Sequence, residues 1–321
     1  MRPCARCVIA AALVLSFAAF SWAQTWPLKP IRVIVNAAAG GGSDLYARIY
    51  TPRLGEALGQ PVLVENMPGA DGRIGLENVA KSAPNGYTLL HTPGGNIVVS
   101  PHLYKLGVDP LKDLAPIAPV ARSTVLLVAR SDLPVRSVAE LIAYARANPG
   151  KLNFGSGGNG TLPHITGEMF LRAAKIQATH VPYKGVGPAL TALLSKQIDY
   201  TFDSGVSIPY VKSNKLRLLA VAGSERSPFF PDIPTMGEAG TPVDASTVQG
   251  VYGPGGTPRE IITRLHREIT RIMQSAEAGA ALSAVGAKAV TTESPEEFAV
   301  QLRSDTERFG EIVRQANIRA D

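Results

Sequence analysis

Cysteine is nearly absent from this chain. Of 321 residues two are cysteine, Cys4 and Cys7, and both stand before an apolar run near the start. That run, "VIAAALVLSFAAFSWA", follows Arg2 and Arg6 and ends in the small-x-small triplet Ser21-Trp22-Ala23. The pattern is that of a secretory leader cleaved after Ala23. A lipoprotein leader would carry its cysteine after the apolar run, not before it. On this reading residues 24–321 hold no cysteine, which excludes disulfides, a thiolate zinc site and a thiol nucleophile. Long apolar runs are missing too. The leader's own falls short of the ~20 residues of a membrane span, and no later segment replaces it.

Clustered charge is also scarce. The formal charge is +6, or +4 once Arg2 and Arg6 are gone, and the basic residues are scattered. Aromatics make up 6 % and do not interleave with basic runs, so nucleic acid is not an expected partner. The histidines are His91, His102, His164, His180 and His266, and none has the H-E-x-x-H spacing of a zinc peptidase. G-x-S-x-G is absent, since Phe154 stands two places before Ser156. A secreted chain of this length without disulfides must rely on large hydrophobic cores. At roughly 100–200 residues per domain, two domains are expected.

What is present is alternation. "IRVIVN", "PVLVEN" and "YTLLHT" read as strands separated by helical stretches and turns. "IAPVARSTVLLVARS" reads as one long strand, and "LNFGS", "IDYTFDS" and "KLRLLAVAG" as later ones. This β-α-β order predicts an α/β fold in which each half is a mainly parallel sheet flanked by helices. Residues 227–258, rich in Pro and Gly, read as a connection rather than a core element. Two helices close the chain. One starts at Pro258 and buries Ile261, Ile262, Leu265, Ile269 and Ile272; the other buries Phe298, Leu302, Phe309 and Ile312. Ser137 with Glu140, and Ser294 with Glu297, are capping-box pairs.

Two segments share one plan. "IRVIVNAAAGGGSDLYARIY" and "LNFGSGGNGTLPHITGEMF" each run strand, small-residue loop, helix, with Ser43 and Thr161 at the expected N-caps. N–H groups at a helix start lack intrahelical partners, and the macrodipole places partial positive charge there. Glycine lets a ligand approach the backbone closely. Each loop is therefore suited to a carboxylate or phosphate, although a plain strand-to-helix turn explains one such loop equally well. One loop in each half lets a small anion be gripped from both sides. The second loop also fits G-x-G-x-x-G, but "ATHVPYKG" lacks the acid a dinucleotide site wants about twenty residues on. His164 is placed to bond the loop or ligand, or to pack as a neutral core histidine. Asp203 ends a strand, where open α/β sheets place ligands, or else caps the next turn. Tyr183 offers an apolar ring with a donor, and Lys184 an exposed cation.

The order and spacing of "WPLKPIRVIV", "GGGSDLYAR", "LGQPVLVENMPGADGRIG", "APNGYTLL", "LPVRSVAELIAYARANPGKLNFGSGGNGT", "HVPYKGVGPAL" and "FPDIPTMGEAG" carry a resemblance across nearly the whole chain. The sequence resembles the Bug-type extracytoplasmic solute receptors, the binding components of tripartite tricarboxylate transporters. The resemblance implies a two-lobed periplasmic binding protein of type II, a Venus flytrap closing on a small organic carboxylate. Lobe 1 is expected over 24–123 and lobe 2 over 124–226, with 227–321 returning to complete lobe 1. Ligand contacts are implied for Ala38, Gly40, Gly41 and Ser43, for Ser156, Gly157, Asn159, Gly160, Thr161 and His164, and for Tyr183 and Asp203. No catalytic residue, metal or cofactor is implied. A monomer in the periplasm, partnered by membrane permease subunits, is expected. The competing class is a secreted hydrolase or isomerase using the same cleft. Two departures matter: the family's V-P-F-x-P-G-G loop is here Val35-Asn36-Ala37-Ala38-Ala39-Gly40-Gly41, and Gln249 stands where an aromatic is common.

Overall fold

Apolar residues alternate along the strands and recur on one face of the helices, and the chain builds two separate sheets from them. The computed structural model describes residues 26–123, 125–203, 205–227, 229–284, 287–316 and 318. The leader and its cleavage site lie outside the described residues. The strands are β1 (Ile31–Val35), β2 (Val62–Asn66), β3 (Thr88–Thr92), β4 (Leu114–Ser123), β5 (Leu126–Arg130), β6 (Asn153–Ser156), β7 (Thr179–Pro182), β8 (Tyr200–Asp203), β9 (Leu216–Val221), β10 (Thr247–Pro254) and β11 (Ala287–Ala289). The helices are α1 (Gly42–Leu58), α2 (Arg73–Ala80), α3 (Gly94–Val98), α4 (Ser100–Leu103), α5 (Pro110–Asp113), α6 (Val138–Ala147), α7 (Leu162–Ala174), α8 (Val186–Leu194), α9 (Ile208–Lys212), α10 (Arg259–Met273), α11 (Ala276–Ala284) and α12 (Pro295–Ala316).

The first sheet has the order β11-β4-β10-β3-β1-β2 and the second β7-β6-β8-β5-β9. β1, β2 and β3 pair in parallel, as do β6, β7 and β8. The expected parallel β-α-β units are there, but they form only part of each sheet. β10 joins β3 and β4 antiparallel, and β5 joins β8 and β9 antiparallel, so both sheets are mixed.

Two expectations need correction. "IAPVARSTVLLVARS" is not one strand. Its first part pairs with β10 and β11 in the first sheet, and its second part, from Leu126, pairs with β8 and β9 in the second. An uninterrupted apolar run records burial, not the identity of the neighbouring strand. Residues 227–258 are not all connection either. They contain β10, whose eight residues are all buried because it lies between β3 and β4.

The first sheet is covered on one face by α1 and α10. Tyr46, Tyr50 and Leu54 of α1, four residues apart, meet Ile31, Val33 and Val35 of β1 and Leu265 and Ile269 of α10 in one core. In the second sheet, Phe154, Tyr200 and Phe202 pack with Phe170 of α7. A third core joins the halves: Ile165 of α7 packs with Val99, Phe298 and Phe309. Ile262 against the first core and Ile312 against the third are only partly buried, at the edges of their helical stripes. Pro258 is the cap of α10 rather than its first turn, its ψ of 136° lying outside the helical range. The serine half of each capping box forms, while Glu140 and Glu297 accept the N–H of Arg136 and Glu293, one residue before the serine. Ser137 Oγ accepts the Glu140 N–H at 3.1 Å, and Ser294 Oγ accepts that of Glu297 at 3.1 Å.

Candidate functional site

The first loop leaves β1 at Asn36 and enters α1. Residues 38–40 are exposed, whereas Ser43 and Asp44 are buried. The cap of α1 is Gly41, not Ser43. Ser43 lies inside the first turn, and its hydroxyl donates to Gln249 Oε1 on β10 at 3.0 Å. The residue that departs from the family pattern is thus what engages this serine. Asp44 organises the loop instead: its Oδ2 accepts the Gly40 N–H at 2.9 Å. Asp44 also pairs with Arg48 at 3.0 Å, and despite burial its pKa lies below the ordinary carboxylate value because hydrogen bonds from Arg48, Gly40 and Asn66 outweigh desolvation. The Gly41 N–H donates to the Ala38 carbonyl at 3.2 Å, and Asn66 Nδ2 donates to the Ala37 carbonyl at 3.1 Å. Asn36 donates to the Gly72 carbonyl at 3.0 Å, joining the stem of this loop to the turn before α2.

The second loop leaves β6 at Ser156 and enters α7. Gly158 and Gly160 have φ of 134° and 76°, conformations that side-chain-bearing residues rarely adopt. Thr161 is the backbone cap of α7, as expected, but its hydroxyl makes no cap bond and donates to the Gly158 carbonyl at 2.8 Å. Pro163 occupies the second helical position and has no N–H for a cap to accept. Ser156 is 1 % exposed, and its Oγ accepts the Gly158 N–H at 3.1 Å and meets His180 Nε2 at 2.6 Å. The Ser156 carbonyl accepts the Tyr183 N–H at 3.0 Å, and that of Gly157 accepts the Gly185 N–H at 3.0 Å.

His164 unites the two roles weighed for it. It is buried, and its Nδ1 accepts the Gly160 N–H at 2.9 Å. The proton of the neutral ring therefore sits on Nε2, which lies 3.9 Å from Glu168. Its ring stacks on His180 with centroids 3.9 Å apart. Burial first, then the neighbouring His164, pushes the pKa of His180 down to about 4, so two stacked imidazoles are not both charged near neutrality. Asp203 is fully buried, and its Oδ2 accepts the Gly205 and Ser207 N–H groups at 2.9 and 2.8 Å, so it caps the turn after β8. Tyr183 is half-buried, packing its ring on the core of the second sheet, and Lys184 is exposed.

Ser156, Gly157, Asn159, Gly160, Thr161 and His164 thus form one body, while Ala38, Gly40, Gly41 and Ser43 form another. The connection between the halves runs through the segment of α3 and α4. Asn96 donates to the Asp71 carbonyl at 2.6 Å, beside the first loop's stem. Tyr104 Oη donates to the Asn159 carbonyl at 2.7 Å. A methyl group on Gly160 would lie 2.8 Å from Leu103 Cδ1, so glycine is what lets the second loop close against the first half.

Sequence reasoning missed His180, Tyr104 and Asp44. For His180 the signal was present: the β6–β7 pairing sets Phe154 beside His180, and Ser156 follows two residues later. Tyr104 and Asp44 carried no local signal. A surface groove lined by Thr263, His266, Thr270 and Thr292 lies on α10 and the approach to α12, apart from both loops. Among the described residues no group of three or more His, Cys, Asp or Glu is placed to hold a metal, and no helix is long and apolar enough to cross a membrane.

Two sheets joined by crossing strands, each presenting a glycine loop at a helix start, define a two-lobed solute-binding receptor. Residues 46–318 match the model of the tripartite tricarboxylate transporter family receptor, and the chain belongs to that family. It is 38 % identical over 269 residues to a UPF0065 protein of Cupriavidus necator, covering 83 % of this chain and 82 % of that one. It is 35 % identical over 301 residues to Protein BugT of Bordetella pertussis, covering 91 % of each. Among solved structures it is similar to an R. palustris protein with adipate (TM-score 0.84, 32 % identity, 92 % of this chain and 100 % of that one). It is also similar to MatC from Rhodopseudomonas palustris with bound malate (TM-score 0.80, 33 % identity, 90 % and 100 %).

Proposed function

We propose that this chain captures a small organic carboxylate between its two lobes in the periplasm and delivers it to membrane permease subunits. Lobe 1 gathers around the first sheet and lobe 2 around the second; the chain returns to lobe 1 at β10 and not at 227, since Thr235 bridges Val221 of β9 and Met236, Val243 and Ala245 lie in the core of the second sheet. The observation that carries the reading is the paired plan of the loops. In each, side chains hold the loop from behind: Asp44 and Asn66 in the first, Ser156 and His164 in the second. The rest of the backbone at the two helix starts is then preorganised for an anion. Gly157 and Asn159 are the proposed contacts of the second loop, while Gly40, Gly41, Gly160 and Thr161, whose N–H groups already donate within the loops, line the wall with Ala38 and let the ligand approach closely. Ser43, Ser156, His164 and Asp203 position the backbone from behind, and Tyr183 supports the second loop. The relatives solved with malate and adipate support a carboxylate as cargo.

The ligand bridges both loops and so favours the closed form, through differential affinity for the two states. Desolvation in the closed cleft strengthens each N–H contact. The chain acts as a monomer and performs no chemistry on its cargo.

One observation favours the enzyme reading, the Ser156–His180 contact at 2.6 Å. However, Ser156 is buried, its oxygen already accepts from Gly158, and His180 stacks on a second imidazole. A thermal-shift and calorimetric screen of the mature chain against organic acids tests the receptor. Selective saturable binding supports it; no response by protein that has been unfolded, dialysed and refolded refutes it. Mass spectrometry of the best ligand after long incubation tests for turnover, and any conversion overturns the reading.

A further inference from the structure

Arg73 begins α2, on the turn that follows β2. Its chain neighbour Gly72 is held by Asn36 at the stem of the first loop. Its guanidinium lies over the ring of Tyr104, 3.9 Å from the centroid. The hydroxyl of that ring holds Asn159 of the second loop. Arg73 is thus one residue from the first loop's stem contact, and one ring and one hydrogen bond from the second loop. Among the described residues its hydrogen bonding is limited to Nε donating to the Ala70 carbonyl at 2.7 Å. Both terminal nitrogens are unengaged. Two carboxylates feel its charge, Asp71 and Glu77, but neither forms an ion pair with it, and Glu77 is taken by Lys81 at 2.8 Å. The Nε bond and the Tyr104 face hold the guanidinium in one orientation, which lowers the entropy cost of a further bidentate contact. The loops themselves offer backbone N–H groups, which suit one carboxylate, whereas a guanidinium edge suits a second.

We propose that Arg73 receives the second anionic group of the ligand, so that the receptor discriminates dianionic from monoanionic acids. The inference rests on the receptor reading above and adds a residue and a ligand class to it. The test is calorimetric titration of the mature chain with matched pairs, butanoate against butanedioate and hexanoate against hexanedioate. It is carried out on the wild type, Arg73→Gln and Arg73→Lys. At least one dioate should bind the wild type tighter than its monocarboxylate by about tenfold or more. Arg73→Gln should erase that preference while leaving monocarboxylate affinity unchanged, and Arg73→Lys should restore part of it. Equal wild-type affinity for both members of each pair overturns the assignment and leaves the receptor standing. Equal losses for both acids in Arg73→Gln also overturn it, since Arg73 would then act only through Tyr104. Binding of no acid of any kind by the refolded wild type removes both readings together.

Discussion

His91, next to the last residue of β3, has no exposed surface, and its Nδ1 lies 3.4 Å from the Tyr50 hydroxyl. Burial pushes its pKa from 6.5 down to about 4, with Gln249 and Asp44 opposing the shift. The folded state therefore keeps the ring neutral, while the unfolded chain takes up a proton near pH 6.5. For a base with a depressed folded pKa, stability is complete above the unfolded pKa and is lost as pH falls toward the folded one. Between pH 7 and pH 5 this single residue should cost about 2 kcal/mol. At about 2–4 °C per kcal/mol for a chain of this size, that is a fall of roughly 4–8 °C in the melting midpoint. His91→Gln removes the titration and keeps a polar partner for Tyr50. Thermal melts at half-unit pH steps should show the variant's curve flatter than the wild type's by that amount between pH 7 and 5. His180 and the carboxylates remain in both proteins and cancel in the difference. Parallel curves would refute the reasoning, whatever the variant's stability at pH 7.

Gly167→Ala places a methyl 2.2 Å from the ring of Phe154, and should destabilise the second lobe by about 1–3 kcal/mol in urea melts. Tyr104→Phe deletes the donor to Asn159 and should weaken ligand binding by about 1 kcal/mol while leaving the unfolding midpoint nearly unchanged. Small-angle scattering should show the ligand-free variant more open than the wild type. Ser156→Ala strips the acceptor from the Gly158 N–H and the partner from His180, so stability should fall by about 1–3 kcal/mol along with affinity. A variant that loses affinity alone would make Ser156 a direct ligand contact. Ser137→Ala should cost about 1 kcal/mol through the lost cap of α6, with calorimetric affinity unaltered.

The parts of this fold that were legible in the sequence are those decided locally. β1, β2 and β3 stand out by composition, α6 and α12 by their capping pairs, and both loops of the proposed site by glycine between a strand and a helix. Where a partner far along the chain decides the outcome, local pattern failed. Ser43 looks like a cap because nothing nearby says that Gln249, on β10, will take its hydroxyl. The run through Leu126 looks continuous because both sheets bury it equally. β10 hides among prolines and glycines since its burial comes from the neighbours β3 and β4, and its own residues are Thr, Val, Gln, Gly, Tyr and Pro. Asp203 is open between two roles in the sequence, and in the structure its Oδ2 holds the turn.

The position of β10 also orders the assembly of the chain in time. Every strand of the second sheet comes from one unbroken stretch, 126–221, whereas β10 must travel back to lie between β3 and β4. A chain emerging from its N-terminus can complete the second sheet long before the first, whose central strand arrives late. Until then β3 and β4 each present an unpaired edge, the exposure that invites pairing with other chains. Closing that long loop is the slow, entropically costly step. Pulse-labelled hydrogen exchange should find β5, β6 and β8 protected before β3 and β10. This is the interval in which a chaperone holding the first hundred residues has most to contribute.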